Sequence, residues 1–165
     1  MPTISGPHTG HCGQGQIAAV TTVWPDPNST ITNTAEALAA YLKEQAGIPF
    51  SRGKADCCAL CCDWIVLRRG VDPIAQWRGY STDAEAAALV RAQGSMVRLA
   101  GLAMRRTGFR LTRDPRPGDV AVVAPMSGTH QTCAIRTERG WVMRLDDGIA
   151  MIPAGQMRVL AAWRV

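Results

Sequence analysis

The chain has few lysines, few aromatic residues and no long apolar run. Only 5% of its 165 residues are aromatic, and its net charge of +5 comes mainly from arginines, since Lys43 and Lys54 are its only lysines. The arginines are scattered and are not interleaved with aromatic residues, so we expect no nucleic-acid partner. No apolar run approaches the ~20 residues of a membrane span, so we expect none.

The N-terminus also lacks a basic segment followed by an apolar core, which is the pattern of a secretory signal. We therefore expect synthesis in a reducing cytoplasm, where thiols stay free. The hydrophobic fraction of 47% and the length of 165 residues fit one domain with a full core. Residues 1–30, rich in Gly, Pro, Thr and Ser, are predicted to form an extended arm with one possible strand over residues 16–24, ahead of a domain over residues 31–165.

The most informative stretch runs from Pro49 to Leu67 and holds four of the six cysteines. A loop with proline and glycine leads into Asp56 and at once becomes an apolar helix, so Cys57 is expected in its first turn. Unpaired N–H groups and the positive end of the helix dipole favour a thiolate at that position. The helix is expected to be buried, with Asp63 as its one acid. Asp63 is expected to be a buried partner of an arginine such as Arg78, the alternative being that its face of the helix reaches water.

Periodicity and capping residues predict the other elements. A helix over residues 35–46 begins at Asn33 or Thr34, a second over residues 83–92 has a capping box at Thr82 and Glu85, and further helical segments cover residues 72–77 and 96–106. Strand-like runs follow at residues 108–111, 119–123, 131–137, 140–145, 150–152 and 159–165. The order predicts an α+β fold in which a helical N-terminal part, including the buried cysteine helix, packs on a C-terminal antiparallel meander.

Two motifs carry a family resemblance. They are Pro49-Phe50 with Gly53 and Asp56-Cys57 before a buried helix, and Pro117-Gly118-Asp119-Val120 at the start of a strand. In these the chain resembles the NlpC-type, papain-like cysteine peptidases of bacterial cell walls. The segments Trp77-Arg78-Gly79-Tyr80 and Ala162-Trp163-Arg164-Val165 resemble more closely a phage- and prophage-encoded branch of largely unassigned function. The resemblance covers about residues 33–165.

The resemblance implies a papain-like fold and a peptidase or amidase that cleaves peptidoglycan peptides at a phage tail tip, made in the bacterial host cytoplasm. It implies no cofactor and no metal, and the arm would dock the domain on other tail-tip proteins. It also implies that Cys57, supported by Asp56, is the nucleophile. The family's base, a histidine on the second strand, aligns with Thr132, and the residue that orients this base aligns with Arg144.

Two of the family's three catalytic positions therefore depart from its pattern. His130, two residues before Thr132, would lie on the same strand face and supply a base, with Asp146 or Asp147 to orient it. A hairpin centred on Glu138 places Asp146 opposite His130, whereas one centred on Arg139 places Asp146 opposite Thr132. The alternative function is a structural tail-tip or assembly component that has lost catalysis.

A metal site is a third possibility. Cys58 and Cys61 have the spacing of a zinc half-site, which could be completed by His8, His11 and Cys12 or by His130 and Cys133. A second half-site of matching spacing is absent, and a helical pair in an apolar run is poorly exposed. Cys58, Cys61 and Cys62 are therefore interpreted as core residues.

Overall fold

The computed structural model describes residues 32–165, so the predicted N-terminal arm lies outside the described residues. The described part is an α+β fold of four helices and a five-stranded antiparallel sheet. The helices are α1 (Thr32–Ala46), α2 (Cys57–Arg69), α3 (Asp83–Gln93) and α4 (Met96–Arg106), with a 3-10 turn at Ala75–Trp77. The strands are β1 (Val120–Pro125), β2 (Thr132–Arg136), β3 (Gly140–Leu145), β4 (Gly148–Pro153) and β5 (Met157–Trp163), with a second 3-10 turn at Ala154–Gln156.

The ends of the helices follow local sequence signals. Asp56 caps α2, whose C-terminus is closed by Gly70 in the left-handed conformation. The predicted capping box of Thr82 and Glu85 is present at the start of α3. The predicted start of α1 is wrong, because that helix already begins at Thr32.

The strands are ordered β4-β3-β2-β1-β5 in the sheet. The first four form the predicted meander, but β5 crosses over and pairs with β1, with Val120 opposite Trp163. The predicted strand at residues 108–111 is reduced to one bridge between Leu111 and Trp163. The β2–β3 hairpin pairs Ile135 with Val142, which neither predicted register contains.

The α2 helix packs on the sheet and forms the centre of the core. Trp64 and Ile65 are almost fully buried there, and the Trp64 indole N–H donates to the carbonyl of Gly118 at 2.8 Å. This bond joins the cysteine helix to the Pro117-Gly118-Asp119-Val120 turn, so the two motifs that carry the resemblance are in contact. Burial of α2 is incomplete, since Leu67 is 56% exposed.

The other face of the sheet carries a smaller apolar cluster. Trp141 and Met143 of β3 are buried there, with Ile152 and Ala154 packed against the cluster.

The predicted pair of Asp63 and Arg78 is formed at 2.6 Å, although Asp63 is part-exposed rather than buried. Among the helices of residues 32–165, none has the length and apolar character needed to cross a membrane.

Candidate functional site

One carboxylate organises the loop that precedes α2. Asp56, which is 1% exposed, accepts hydrogen bonds through Oδ1 from the backbone N–H groups of Cys58 at 3.0 Å and Ala59 at 2.9 Å. Its Oδ2 accepts from the N–H of Gly53 at 2.8 Å and from the Tyr80 hydroxyl at 2.7 Å. Asp56 therefore caps the helix, closes the loop and ties both to the segment before α3.

Gly53 allows this loop to approach Tyr80. Its φ angle is +75°, and a Cβ at this position would lie 1.9 Å from the carbonyl oxygen of Tyr80. Any side chain here would collide with backbone in a conformation that L residues rarely adopt. The glycine of the loop motif is thus required by a close approach of two chain segments.

Cys57 is the first residue of α2, as its place after Asp56 predicts, and its side chain is partly exposed. The neighbouring Cys133 thiol and then the Cys58 thiol, as donors to a thiolate, lower the pKa of Cys57 well below 9.0, against an opposing effect of burial. The Thr132 hydroxyl adds a smaller lowering. Cys57 is therefore the cysteine at which the fold favours the thiolate, which is the nucleophilic form.

A groove of about 1070 Å³ opens beside Cys57. The structure brings the sequence-predicted catalytic residues together along its walls: Cys57, His130, Thr132, Arg144, Asp146 and Asp147. A second, smaller and mainly apolar cavity of about 80 Å³ lies on the other side of Cys57, between α2, α3 and α4.

The strand side of the groove differs from the prediction for His130. Strand β2 begins at Thr132, so His130 lies in the preceding loop and is exposed instead of sharing a strand face. Asp146 is exposed in the turn between β3 and β4. Within residues 32–165, neither side chain makes a hydrogen bond or an ion pair. Thr132 is buried at the start of β2 and lines the groove together with Cys57.

Arg144 on β3 is only 3% exposed and points towards the end of α1. Its guanidinium donates to the carbonyls of Gln45 at 3.1 Å and Ile48 at 2.6 Å, and to the side-chain oxygen of Gln45 at 2.6 Å. A cation at a helix C-terminus is favourable because the last carbonyls lack partners within the helix. Arg144 thus anchors α1 and the chain leading into the Cys57 loop.

Residues 30–165 match the model of the family DUF6950, a domain of unknown function. The chain belongs to this family. No curated protein and no solved structure matches the chain. The DUF6950 match begins where the predicted arm ends and includes every residue of the groove.

The DUF6950 domain shows no metal centre among its described residues. Within residues 32–165, no three His, Cys, Asp or Glu side chains are placed to hold a metal ion together. The zinc site that His130 and Cys133 would complete with Cys58 and Cys61 is therefore not formed in this part of the chain. The alternative completion by His8, His11 and Cys12 lies outside the described residues.

Sequence reasoning assigned no site role to Tyr80 and considered Cys133 only as a metal ligand. Tyr80 binds Asp56 from 24 positions away, and the pKa of its phenol is raised, first by burial. No local pattern connects residues so far apart. Cys133 had a usable signal, because alternate residues of β2 face one side of the sheet, and Cys133 and Ile135 both pack in the core beneath α2.

Proposed function

We propose that this DUF6950 domain is an NlpC-like cysteine peptidase or amidase that cleaves peptide bonds in peptidoglycan. We further propose that it acts at a phage tail tip while the host cell wall is penetrated. The observation that carries the proposal is Cys57, a thiol with a lowered pKa on the first turn of a buried helix that opens on a groove. Activated thiols of this kind attack acyl carbons.

The helix start also suggests how the oxyanion would be held. Asp56 already engages the N–H groups of Cys58 and Ala59. This leaves the N–H of Cys57 itself as the helix donor that can face a tetrahedral intermediate. The attack would form a bond between Cys57 Sγ and the carbonyl carbon, and water would later release the acyl group from the thioester.

The proton acceptor in this proposal is His130, with Asp146 to orient its imidazole. Both are exposed and both line the groove. Because His130 lies in the loop between β1 and β2, outside the strands, a shift of that loop could bring the imidazole to hydrogen-bonding distance from Cys57 when substrate fills the groove.

The test is hydrolysis of peptidoglycan fragments by the purified full chain, followed by mass spectrometry of the released peptides. Changing Cys57→Ala is expected to abolish cleavage, and His130→Ala to lower its rate by about 10²–10⁴-fold. Cys62→Ala is a matched control, because Cys62 is a buried thiol of the same helix that does not line the groove. Cleavage that survives Cys57→Ala, or that falls equally in Cys62→Ala, would contradict the proposal.

A second candidate function is a structural tail-tip or assembly component, and Thr132 and Arg144 favour it. The position aligned with the family's histidine holds a buried threonine against Cys57, and the position aligned with the orienting residue anchors α1. Neither side chain can take a proton from a thiol near neutral pH. This function predicts that the wild-type chain cleaves no peptidoglycan fragment and is a stoichiometric part of purified tails, whereas the enzyme requires turnover.

A further inference from the structure

Four thiols meet where the first turns of α2 pack on β2. Cys58 Sγ lies 3.6 Å from Cys133 Sγ. Cys133 also shares a core cluster with Cys61, against which Cys57 packs, and its thiol lowers the pKa of both. Cys133 is therefore the centre of the cluster, although 71 positions or more separate it from the helix cysteines in sequence.

The members of this cluster are not equivalent. Cys57 lines the open groove, whereas Cys58 and Cys133 do not and instead line the apolar cavity of about 60 Å³ behind it. The pKa of Cys57 is well below 9.0, and hydrogen bonding to Cys57 raises the pKa of Cys133 well above 9.0. A thiol that faces the groove and favours the thiolate thus shares a cluster with a buried thiol that favours the protonated form.

We propose that Cys57 and Cys133 form a thiol pair that reacts with hydroperoxides and closes to a reversible disulfide. In the first step the Cys57 thiolate attacks one oxygen of hydrogen peroxide, the O–O bond breaks, and Cys57 sulfenic acid and hydroxide form. In the second step the sulfur of Cys133 attacks Cys57 Sγ, the S–O bond breaks, and the Cys133 proton leaves with the departing oxygen as water. The two thiols lose two electrons and the peroxide gains them.

Cys133 is the resolving thiol in this scheme because of its position. A bond between the neighbours Cys57 and Cys58 would strain the backbone of one helical turn, whereas Cys133 approaches from a separate strand. The reaction covalently links α2 to β2 and removes the free thiolate from the groove. It does not rest on the proposed hydrolysis, since it needs only the two thiols and a peroxide.

The test is peptide mapping of the reduced full chain carrying Cys12→Ser, which removes the cysteine outside the described residues. After treatment with hydrogen peroxide and blocking of free thiols, trypsin releases residues 55–68, with the four helix cysteines, and residues 114–136, with Cys133 alone. The bond between Arg116 and Pro117 resists trypsin, so the second peptide stays whole. We expect these two peptides to be joined by a disulfide that fragmentation assigns to Cys57.

Variants distinguish the pair from its neighbours. Cys133→Ser cannot form the cross-link but keeps a hydroxyl donor for the Cys57 thiolate, so it should leave a Cys57 sulfenic acid that dimedone traps, followed by irreversible sulfinic acid. Cys57→Ser should also abolish the cross-link, while Cys62→Ala should retain it. A cross-link that persists in Cys57→Ser would show that Cys58 reacts instead and would overturn the proposal. So would a wild-type chain in which Cys57 reaches sulfinic acid as fast as in Cys133→Ser.

Discussion

On the helix side of the groove the buried carboxylate of Asp56 accepts four hydrogen bonds, whereas on the strand side two buried polar atoms have no partner within residues 32–165. These atoms are Gln131 Oε1 and Arg144 Nε. The side that holds the candidate nucleophile is therefore fixed by satisfied contacts, while the side that would supply the base consists of a buried threonine and exposed loop residues. The fold thus specifies a thiol with a lowered pKa more firmly than it specifies a proton acceptor.

The largest effect should come from removing the carboxylate on the helix side. Asp56→Ala removes the cap of α2 and leaves the Gly53 N–H and the Tyr80 hydroxyl without their acceptor. The lost cap and the unpaired donors together should lower the free energy of unfolding by about 4 kcal/mol. Urea denaturation followed by circular dichroism measures this change.

Ser95→Ala is the matched control for that change. Ser95 caps α4 through a single hydrogen bond to the N–H of Arg98 at 3.2 Å, so its loss should cost about 1 kcal/mol. If the two variants lost equal stability, the helix side would not depend on Asp56 more than on an ordinary cap, and the contrast between the two sides would fail.

A second change tests the close approach of the loop to Tyr80. Gly53→Ala places a methyl group against the Tyr80 carbonyl at a positive φ, and we expect a loss of about 3 kcal/mol with slower alkylation of Cys57. Gly47→Ala, where a Cβ would meet nothing within 4 Å, is the control and should change stability little. A Gly53→Ala chain with wild-type stability would mean that the loop relaxes freely.

On the strand side, Arg144→Met should have an intermediate effect. It removes the donors to the Gln45 and Ile48 carbonyls but also removes a buried Nε that has no partner in the described part of the chain. The net loss should be about 2 kcal/mol, measured by the same urea titration. A variant more stable than the wild type would show that burying the guanidinium destabilises the fold by more than its hydrogen bonds to the Gln45 and Ile48 carbonyls stabilise it.

The sequence allowed the start of α2 to be predicted well because the contacts of that cap are local, whereas the bond from the distant Tyr80 to Asp56 was missed. Asp56 caps the helix that starts at the next residue, and Asp63 meets Arg78 only fifteen positions later. The strand side depends on contacts between distant segments. The β2–β3 hairpin closes between Glu138 and Arg139, half a residue from both predicted centres, and β2 starts too late to include His130.

The same distinction explains the other errors. Nothing local shows that β5 returns to β1, because that pairing is decided by which sheet edge the last strand can reach. The contact between Cys133 and the helix cysteines joins segments that lie on different elements, and it emerges only once the helix is laid on the sheet. The candidate nucleophile was thus open to sequence reasoning; for Cys133 the strand pattern shows that it faces the core, but not which helix cysteines it meets there.

The smallest expected effect is a loss of stability in alkali that arises from Cys61, one helical turn after the candidate nucleophile Cys57. Burial raises the pKa of Cys61 from 9.0 to about 11. A thiol whose folded pKa is raised contributes stability that is complete below pH 9 and declines as pH rises from 9 towards 11, because the unfolded chain ionises first. One such group should lower the free energy of unfolding by about 1 kcal/mol between pH 8 and pH 10.

The pKa of Cys57 is lowered, so its contribution to stability rises with pH instead of falling, and it changes only below pH 9. Urea midpoints at several pH values should therefore fall less steeply above pH 9 in Cys61→Ala than in the wild type, and equal slopes would mean that the Cys61 thiol is not held in its neutral form by the core.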